Sequence, residues 1–471
     1  MRVQGRTLLG AGAAGVGLWA VQRWLPRSVV ALRVRIFTKV NGDDEVTLPG
    51  ELGGAVAGPE VFERVYADPA ANGRSHGAAL SDLFWYWLAP GPEVHQEHLE
   101  AGPRYDEVAR TTREILSMPT RSIEKLAAEA TERVLAELPA APLTVTRLRD
   151  LMMPVWAEFF YALVFREPCP RTARDLIVAN ADDVVSSLKC TGLRHMRRRD
   201  RLTRYLRRRI DAGDVPHRLP DVLTPQEQAY YLQGTFFNTA VVQSSEGMAH
   251  LLLAIAQHPD VQRRLLSDPN ARYLNHVLEE VLRQYPLFGI AHRITTADID
   301  AGPAVIPAGS VVCFNYPAYE RLGQPDPDRF DPGRWETQSV KNAHHIPFGV
   351  AANRSCPAWR LSPIAMGAVT RVVLSHYRLR SSASHTRSIP HRAPCLLLSG
   401  DDRPAAWRVR TALAAMRVRD RYEDVVRSAV QLVLGTWMVV DARRLKLCTN
   451  HFATHPPDGR PRRGACPVDH E

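Results

Sequence analysis

Hydrophobic positions along this chain recur mainly at helical spacing, which predicts a mostly α protein with small β-sheets. Residues 236–256 form a long apolar run of helical pattern, followed by the turn His258-Pro259-Asp260-Val261-Gln262. Between Arg194 and Arg209 the pattern changes: arginines surround Leu202, Leu206 and Ile210, giving an amphipathic basic helix with a solvated arginine face. Residues 419–440 return to helical spacing through Val425, Val426, Ala429, Val430, Val433 and Trp437, an apolar face for the domain, a partner or a membrane. The turn Ile306-Pro307-Ala308-Gly309-Ser310 precedes a strand-like run, Val311-Val312-Cys313-Phe314. Phe84-Trp85-Tyr86-Trp87 is an aromatic run of the kind that packs in cores and also offers a wall to a pocket.

Two segments carry candidate chemistry. Phe348-Gly349-Val350-Ala351-Ala352-Asn353-Arg354-Ser355-Cys356-Pro357-Ala358-Trp359 sets one cysteine between a small-residue loop and an expected helix start. Pro357 suits a first helical turn, so Cys356 is expected at the positive end of a helix, where the thiolate is favoured. Upstream, Glu280 and Arg283 lie three apart on a predicted helix and share a face on which they can pair. Pro286, His292 and Arg293 follow, and then Pro327-Asp328-Arg329-Phe330-Asp331-Pro332-Gly333-Arg334-Trp335.

In this order and spacing the segments resemble a cytochrome P450, from about Val46 to about Leu398. The resemblance implies the P450 fold, with haem b (iron-protoporphyrin IX) between the central helix and the Cys356 loop. It makes Cys356 the axial thiolate ligand of iron and gives Phe348 a place beside the cofactor. Arg354 and Arg293 match positions that contact haem propionates, which suits the bidentate fork of arginine. Glu280 and Arg283, with Arg329 as third member, match a buried salt-bridge network that holds the haem loop.

Several positions depart from the family pattern. Phe348 lies eight residues before Cys356 where seven is usual, and Ala352 and Ala358 stand where glycines are common. Tyr105 and Ala109 occupy the expected places of a propionate-binding His and Arg, with Arg110 or Arg113 as substitutes. Counting back from His258 places Val242 and Gln243 where an acid and an alcohol are expected. Gln243 can hydrogen-bond a ligand but is no proton source, so Glu246, three residues on, becomes the second catalytic candidate. Trp85, Phe237, Val241, Phe288 and Ile290 are the substrate-pocket candidates.

The implied activity is that of a monooxygenase oxidising a small lipophilic substrate in secondary metabolism, for instance a terpenoid, with electrons from a ferredoxin and ferredoxin reductase. Missing acid and alcohol residues leave open a P450-like isomerase, dehydratase or cyclase, and a non-enzymatic haem protein is a third possibility.

The chain has 471 residues, 45% hydrophobic and 23% charged, enough for a large core. Boundaries are expected at residues 1–45 for an apolar N-terminal segment, 46–400 for the haem domain, and 401–471 for an extension of one helix and a disordered tail. Seven scattered cysteines suggest free thiols and a reducing, cytoplasmic setting. Thr7 to Val21 is too short for a comfortable membrane span; with Trp19 and Trp24 it reads as a weak anchor giving peripheral membrane contact or as a helix packed on the domain, with the apolar part of a signal peptide as the alternative. A net charge of +10 comes without any nucleic-acid-binding motif, so no nucleic acid is expected. Cys448, His451, His455, Cys466 and His470 match no standard zinc spacing.

Overall fold

The computed structural model describes residues 45–268, 271–339, 342–385, 392–400 and 404–456, with residues 17–21, 23–25, 27–29, 31, 32 and 35 of the N-terminal segment. Most of the expected anchor, together with Cys466 and His470, lies outside the described residues. Trp19 and Trp24 are exposed.

A β-rich lobe opens the described fold. Strand β1 (Glu45–Leu48) runs into the hairpin β2 (Gly50–Leu52) and β3 (Ala55–Ala57), and helix α1 (Pro59–Ala67) follows. On α1, Phe62 stacks on Tyr319, and Phe62 and Tyr66 meet Phe314 and Tyr316 edge to face, which closes this lobe around an aromatic core. Phe314 is supplied by the strand the apolar run predicts, Val311–Asn315, which lies between β1, parallel to it, and Ile290–Ile294, antiparallel to it. A second sheet sets Pro394–Ser399 between Leu143–Arg147 and Tyr377–Arg380.

The helical body follows from how apolar each helix is around its circumference. After α2 (Ala79–Leu88), α3 (Pro103–Leu116) and α4 (Thr120–Leu135), helix α5 (Leu148–Phe165) is buried on every face, including Met152, Trp156, Phe159, Phe160 and Val164. A helix hydrophobic all round belongs inside, and α5 is the centre of the main core. Helices α6 (Arg171–Leu188) and α7 (Met196–Asp211) pack beside it. On α7 Leu202 and Leu206 face inward as expected, but Arg199 does not belong to the solvated face. Its guanidinium is fully buried, bonding Asp183 Oδ2 at 2.6 Å, the Ala89 carbonyl at 2.6 Å and Ser187 Oγ at 3.1 Å. An internal clamp thus hides in a run that reads as uniform surface charge.

The central helix begins earlier than the apolar run suggests. A Thr224/Glu227 capping box starts α8 (Pro225–Leu232), a π-helical stretch over Gln233–Ala240 follows, and α9 (Val241–Gln257) continues it. π-helical turns are rare and gather at functional sites. Next come α10 (Pro259–Ser267), α11 (Ala271–Gln284), α12 (Leu361–His376), α13 (Ala406–Leu445) and α14 (Leu447–Thr454).

Helix α11 fixes the irregular segment ahead of the cysteine loop. Glu280 is fully buried and accepts two hydrogen bonds from Arg283, each 2.9 Å, one from Trp335 Nε1 at 3.0 Å and one from the Asp331 N–H at 2.9 Å. The third charged member of the network is Arg334, 3.0 Å from Glu280, rather than the expected Arg329. Arg329 contributes only its carbonyl, which accepts from Arg283 and Arg334, because the turn at 332–336 points the later arginine inward. Next to this network, buried His345 pairs with Glu320 at 2.7 Å and Glu279 at 3.0 Å.

Two expectations follow. Glu280→Ala leaves two buried guanidiniums without their carboxylate and should cost about 3–5 kcal/mol; an unchanged melting temperature would refute the network as a structural requirement. Burial alone would lower the His345 pKa, but Glu320 and Glu279 raise it from 6.5 to about 9. Because the folded value is the higher one, this stabilisation is complete below pH 6.5 and is lost as pH rises through about 9, an effect on the order of 3 kcal/mol. The melting temperature of the native protein should therefore fall across that window more steeply than that of His345→Gln, and parallel curves would remove His345 as the cause.

Candidate functional site

The cysteine loop is closed by its own backbone. The Gly349 N–H donates to Ile346 O at 3.0 Å, Asn353 N–H to Val350 O at 3.2 Å and Cys356 N–H to Phe348 O at 2.8 Å. Between Phe348 and Cys356 the chain turns at 350–353. Gly349 sits at φ +74°, and a Cβ there would come within 2.9 Å of Tyr66 Oη. Asn353 staples the loop to the end of α1, its side-chain amide donating to the carbonyls of Tyr66, Asp68 and Ala71 at 2.8–3.2 Å. Ala352 is exposed, so its methyl group meets solvent, and Phe348 and Ala358 are half-buried against the main core.

Cys356 is not at a helix N-terminus. Helix α12 begins at Leu361, and an intervening turn places the Trp359 N–H on the Cys356 carbonyl at 3.2 Å. Burial pushes the thiol pKa up, the Ala358 backbone N–H opposes this, and the Glu97 carboxylate adds to it. The polypeptide by itself therefore favours the thiol, and a thiolate here needs a cation beside the sulfur.

Around the loop the protein gathers positive charge without matching acceptors. Arg293 lies across the Tyr66 ring, 3.9 Å from its centroid, and donates to Tyr66 O at 3.0 Å and Asn353 O at 3.3 Å. Arg354, in the left-handed region at φ +54°, lies 3.7 Å over Tyr105 and donates to Leu99 O at 2.6 Å. Arg74 is the third member: burial, Arg293 and Arg354 lower its pKa to about 9, and burial lowers that of Arg354 to about 10. Nε of all three arginines, Nη2 of Arg354, and Nε2 of both His98 and His292 are buried without a partner. The nearby Glu100 carboxylate is taken up by the backbone N–H groups of Ser75 and His76. A ligand carrying carboxylates would satisfy this donor set, and haem fits it.

Arg110 is exposed on α3 and Tyr105 serves Arg354 as an aromatic platform, so neither supplies the expected propionate contact. His98 and Arg74 instead present buried, unpartnered nitrogens there. The cue in the sequence was His95 and His98, three apart, ahead of the Gly102 segment.

The central helix places its candidates on different sides. Gln243 is half-buried. Glu246 is buried and bound to Lys189 and to Arg149 Nη1, the latter at 3.3 Å. Burial would raise its pKa, but Lys189 and then Arg149 hold it below the ordinary carboxylate range. It is an anchored anion between α9, α6 and α5 and a poor proton donor. Thr239, in the π-helical stretch, instead donates to Glu97 Oε1 at 2.8 Å, and burial raises the Glu97 carboxyl. Glu97 also acts electrostatically on Cys356, so this acid and hydroxyl lie toward the thiol.

The pocket candidates divide. Trp85 is core: its indole donates to Ser75 Oγ at 3.1 Å and its ring packs on His451 and Phe452 of α14. Phe237, stacked with Phe165, and Val241 are fully buried. Phe288 and Ile290 are 51% and 55% exposed. Far from being a loose tail, α14 docks on α2, its Cys448 and Thr449 N–H groups bonding Asp82 Oδ1 at 2.8 and 3.0 Å. Among the described residues no cluster of His, Cys and acidic groups has the geometry of a metal site, and the cysteines are free thiols.

Comparison with known proteins places this arrangement. The family model for Cytochrome P450 matches residues 194–402. Cyclooctat-9-en-7-ol 5-monooxygenase of Streptomyces melanosporofaciens is 26% identical over 166 residues, 31% of this chain and 36% of that protein. Beta-amyrin 11-oxidase of Glycyrrhiza uralensis is 30% identical over 126 residues, 26% of this chain and 25% of that protein. The matched stretch thus spans only a quarter to about a third of these relatives' length. In fold the chain is similar to the crystal structure of cytochrome P450 OleT F79A in complex with arachidonic acid, with a TM-score of 0.62 and 16% identity, covering 74% of this chain and 89% of that one. The fold extends beyond the stretch where sequence likeness is visible: residues 194–402 match the cytochrome P450 family, and the chain has the cytochrome P450 fold.

Proposed function

We propose that the protein is a haem-thiolate monooxygenase acting on a small lipophilic substrate of terpenoid type. The observation that carries this reading is the set of buried, unpartnered nitrogens on Arg74, Arg293, Arg354, His98 and His292 beside the loop of a single half-buried cysteine. The names of two relatives, a cyclooctatenol monooxygenase and a beta-amyrin oxidase, support the substrate class. Haem b bound here supplies redox and oxygen-activating chemistry, which thiolate ligation promotes.

The chain's own residues then have separate tasks. Cys356 is the iron ligand, and the positive charge of the metal offsets the burial that holds its thiol protonated. Arg74, Arg293, Arg354 and His98 hold the carboxylates. Glu97, protonated more readily than an ordinary glutamate, stores a proton beside the Thr239 hydroxyl. This pair stands in for the acid and alcohol missing at Val242 and Gln243, while Gln243 orients substrate and Phe288 and Ile290 supply apolar contact. Electrons come from a separate ferredoxin and ferredoxin reductase, and the basic balance of the chain, +10 overall, suits an acidic donor. Val242 and Gln243 themselves favour the second reading, a P450-like catalyst without oxygenase chemistry, which would form product with neither reductant nor dioxygen.

Reduced protein under carbon monoxide should show the thiolate-type Soret band, and Cys356→Ala should lose it; retention of the band would move the ligand elsewhere. In reductant-driven turnover, Glu97→Gln and Thr239→Val should lower coupling of electrons to product by about tenfold or more, with peroxide-driven turnover less affected. Glu246→Gln should lower the melting temperature, because it removes the anion that Lys189 and Arg149 share, with coupling largely kept. The opposite ranking of Glu97 and Glu246 would return the proton-supplying role to Glu246.

A further inference from the structure

Helix α13 has one face on the protein and one face on nothing. Its inner side is docked: Met438 and Ala442 pack with Leu80, Leu83, Tyr86 and Trp87 of α2, Glu423 pairs with Arg147 at 2.8 Å, and Asp420 accepts the Ser384 N–H at 3.0 Å. On its outer side, between Tyr422 and Val440, the exposed residues are Tyr422, Val426, Ala429, Val433, Thr436, Trp437 and Val440. The charged side chains along this stretch, about 27 Å of helix, are all paired, Glu423 with Arg147 and the 42% exposed Asp424 with Arg427. The five large residues are 54–67% exposed, far from the scattered single apolar residues of an ordinary surface.

Three occupants compete for this band. One 18-residue window of the α13–α14 region has a mean hydropathy of 1.3, within the range of membrane spans. Spanning would nevertheless strip Asp420 of the Ser384 N–H and Glu423 of Arg147, and would carry the Asp424–Arg427 pair and Asp441 toward lipid. A second copy is suggested by the alternating spacing of four and three through 422, 426, 429, 433, 436 and 440, which makes a coiled-coil seam. Charge decides against it. The band is flanked by exposed Arg417, Arg419 and Arg421 at one end and Arg443, Arg444 and Lys446 at the other. Parallel or antiparallel self-pairing would set cations against cations. An anionic surface complements both ends and takes the apolar band between them.

We propose that the exposed face of α13 from Tyr422 to Val440 docks the enzyme in the plane of an anionic lipid bilayer. The valines and Trp437 enter the interface, and the flanking arginines and Lys446 reach the headgroups. The helix stays folded on α2 throughout. The site lies apart from the cysteine loop and does not depend on the proposed reaction.

The test is co-sedimentation of the full chain with phosphatidylglycerol-containing vesicles and with vesicles of phosphatidylcholine alone. Binding is expected to the anionic vesicles, to weaken with added salt, and to fall roughly tenfold or more in a Val426→Glu/Val433→Glu/Val440→Glu variant. These side chains are exposed, so the variant's melting temperature and haem spectrum should match the native protein's and exclude misfolding as the cause. Undiminished binding by the variant would assign the affinity to the N-terminal segment and overturn the proposal. A dimer in sedimentation velocity that the variant dissolves would make the band a self-association seam, and resistance of native membranes to carbonate extraction would make it a span; either result also overturns it.

Discussion

A buried carboxylate is tolerated only when its lone pairs are occupied and its charge is met, and Glu280 shows how far that requirement reaches. Its oxygens take up two guanidiniums, an indole N–H and a backbone N–H, from residues as far apart as α11 and the turn at 332–336. The same guanidiniums spend their remaining donors on the carbonyls of Pro325, Pro327 and Arg329. A segment with almost no regular secondary structure thereby gains a fixed path. His345, between Glu279 and Glu320, carries that definition one step further, because the Ile346 N–H bonds the same Glu320 and opens the cysteine loop.

The Arg74, Arg293 and Arg354 cluster follows the reverse logic. Around Glu280 every charge has a counterpart, whereas around the cysteine loop cations lower one another's pKa and several N–H groups have no acceptor. Such surplus is unfavourable in the protein alone. The same is true of a thiol held protonated by burial. Both deficits are of the sign that a dicarboxylate ligand with a central metal cation removes, so binding energy and site geometry are two aspects of one electrostatic imbalance.

How much of this was legible in the sequence depended on the range of the interaction. Glu280 and Arg283 were readable because a three-residue spacing on a helix is a local fact. Arg334 was not, since choosing between it and Arg329 requires the direction of a turn. Glu246 lay at the right height on the central helix, but its fate was decided by Arg149 and Lys189, nearly a hundred and almost sixty residues away, respectively. Arg199 stood in a run whose other arginines are at least partly exposed, and its burial is explained by Asp183, Ser187 and the carbonyls of Trp87 and Ala89, all outside that run. His98 and Arg74 were hidden because counting from the Gly102 segment set the wrong register for residues that approach one another only across the fold.

Trp85 connects these lessons to the C-terminal extension. An aromatic run ahead of the Gly102 segment invites a pocket assignment, yet α14 covers that ring with His451 and Phe452. Helix α13 likewise covers the apolar face of α2 through Met438 and Ala442. The extension is therefore continuous with the core of the domain that precedes it, and α2 would expose Leu80, Leu83 and Trp87 without it. Through α2 the extension also bears on the cluster at the cysteine loop: Cys448 reaches the Ser75 carbonyl and Trp85 holds the Ser75 hydroxyl, one residue from Arg74. Helix α13, with its exposed apolar outer face, is in this way joined through α14, α2 and two hydrogen bonds at Ser75 to the arginine that helps create the demand for a carboxylate.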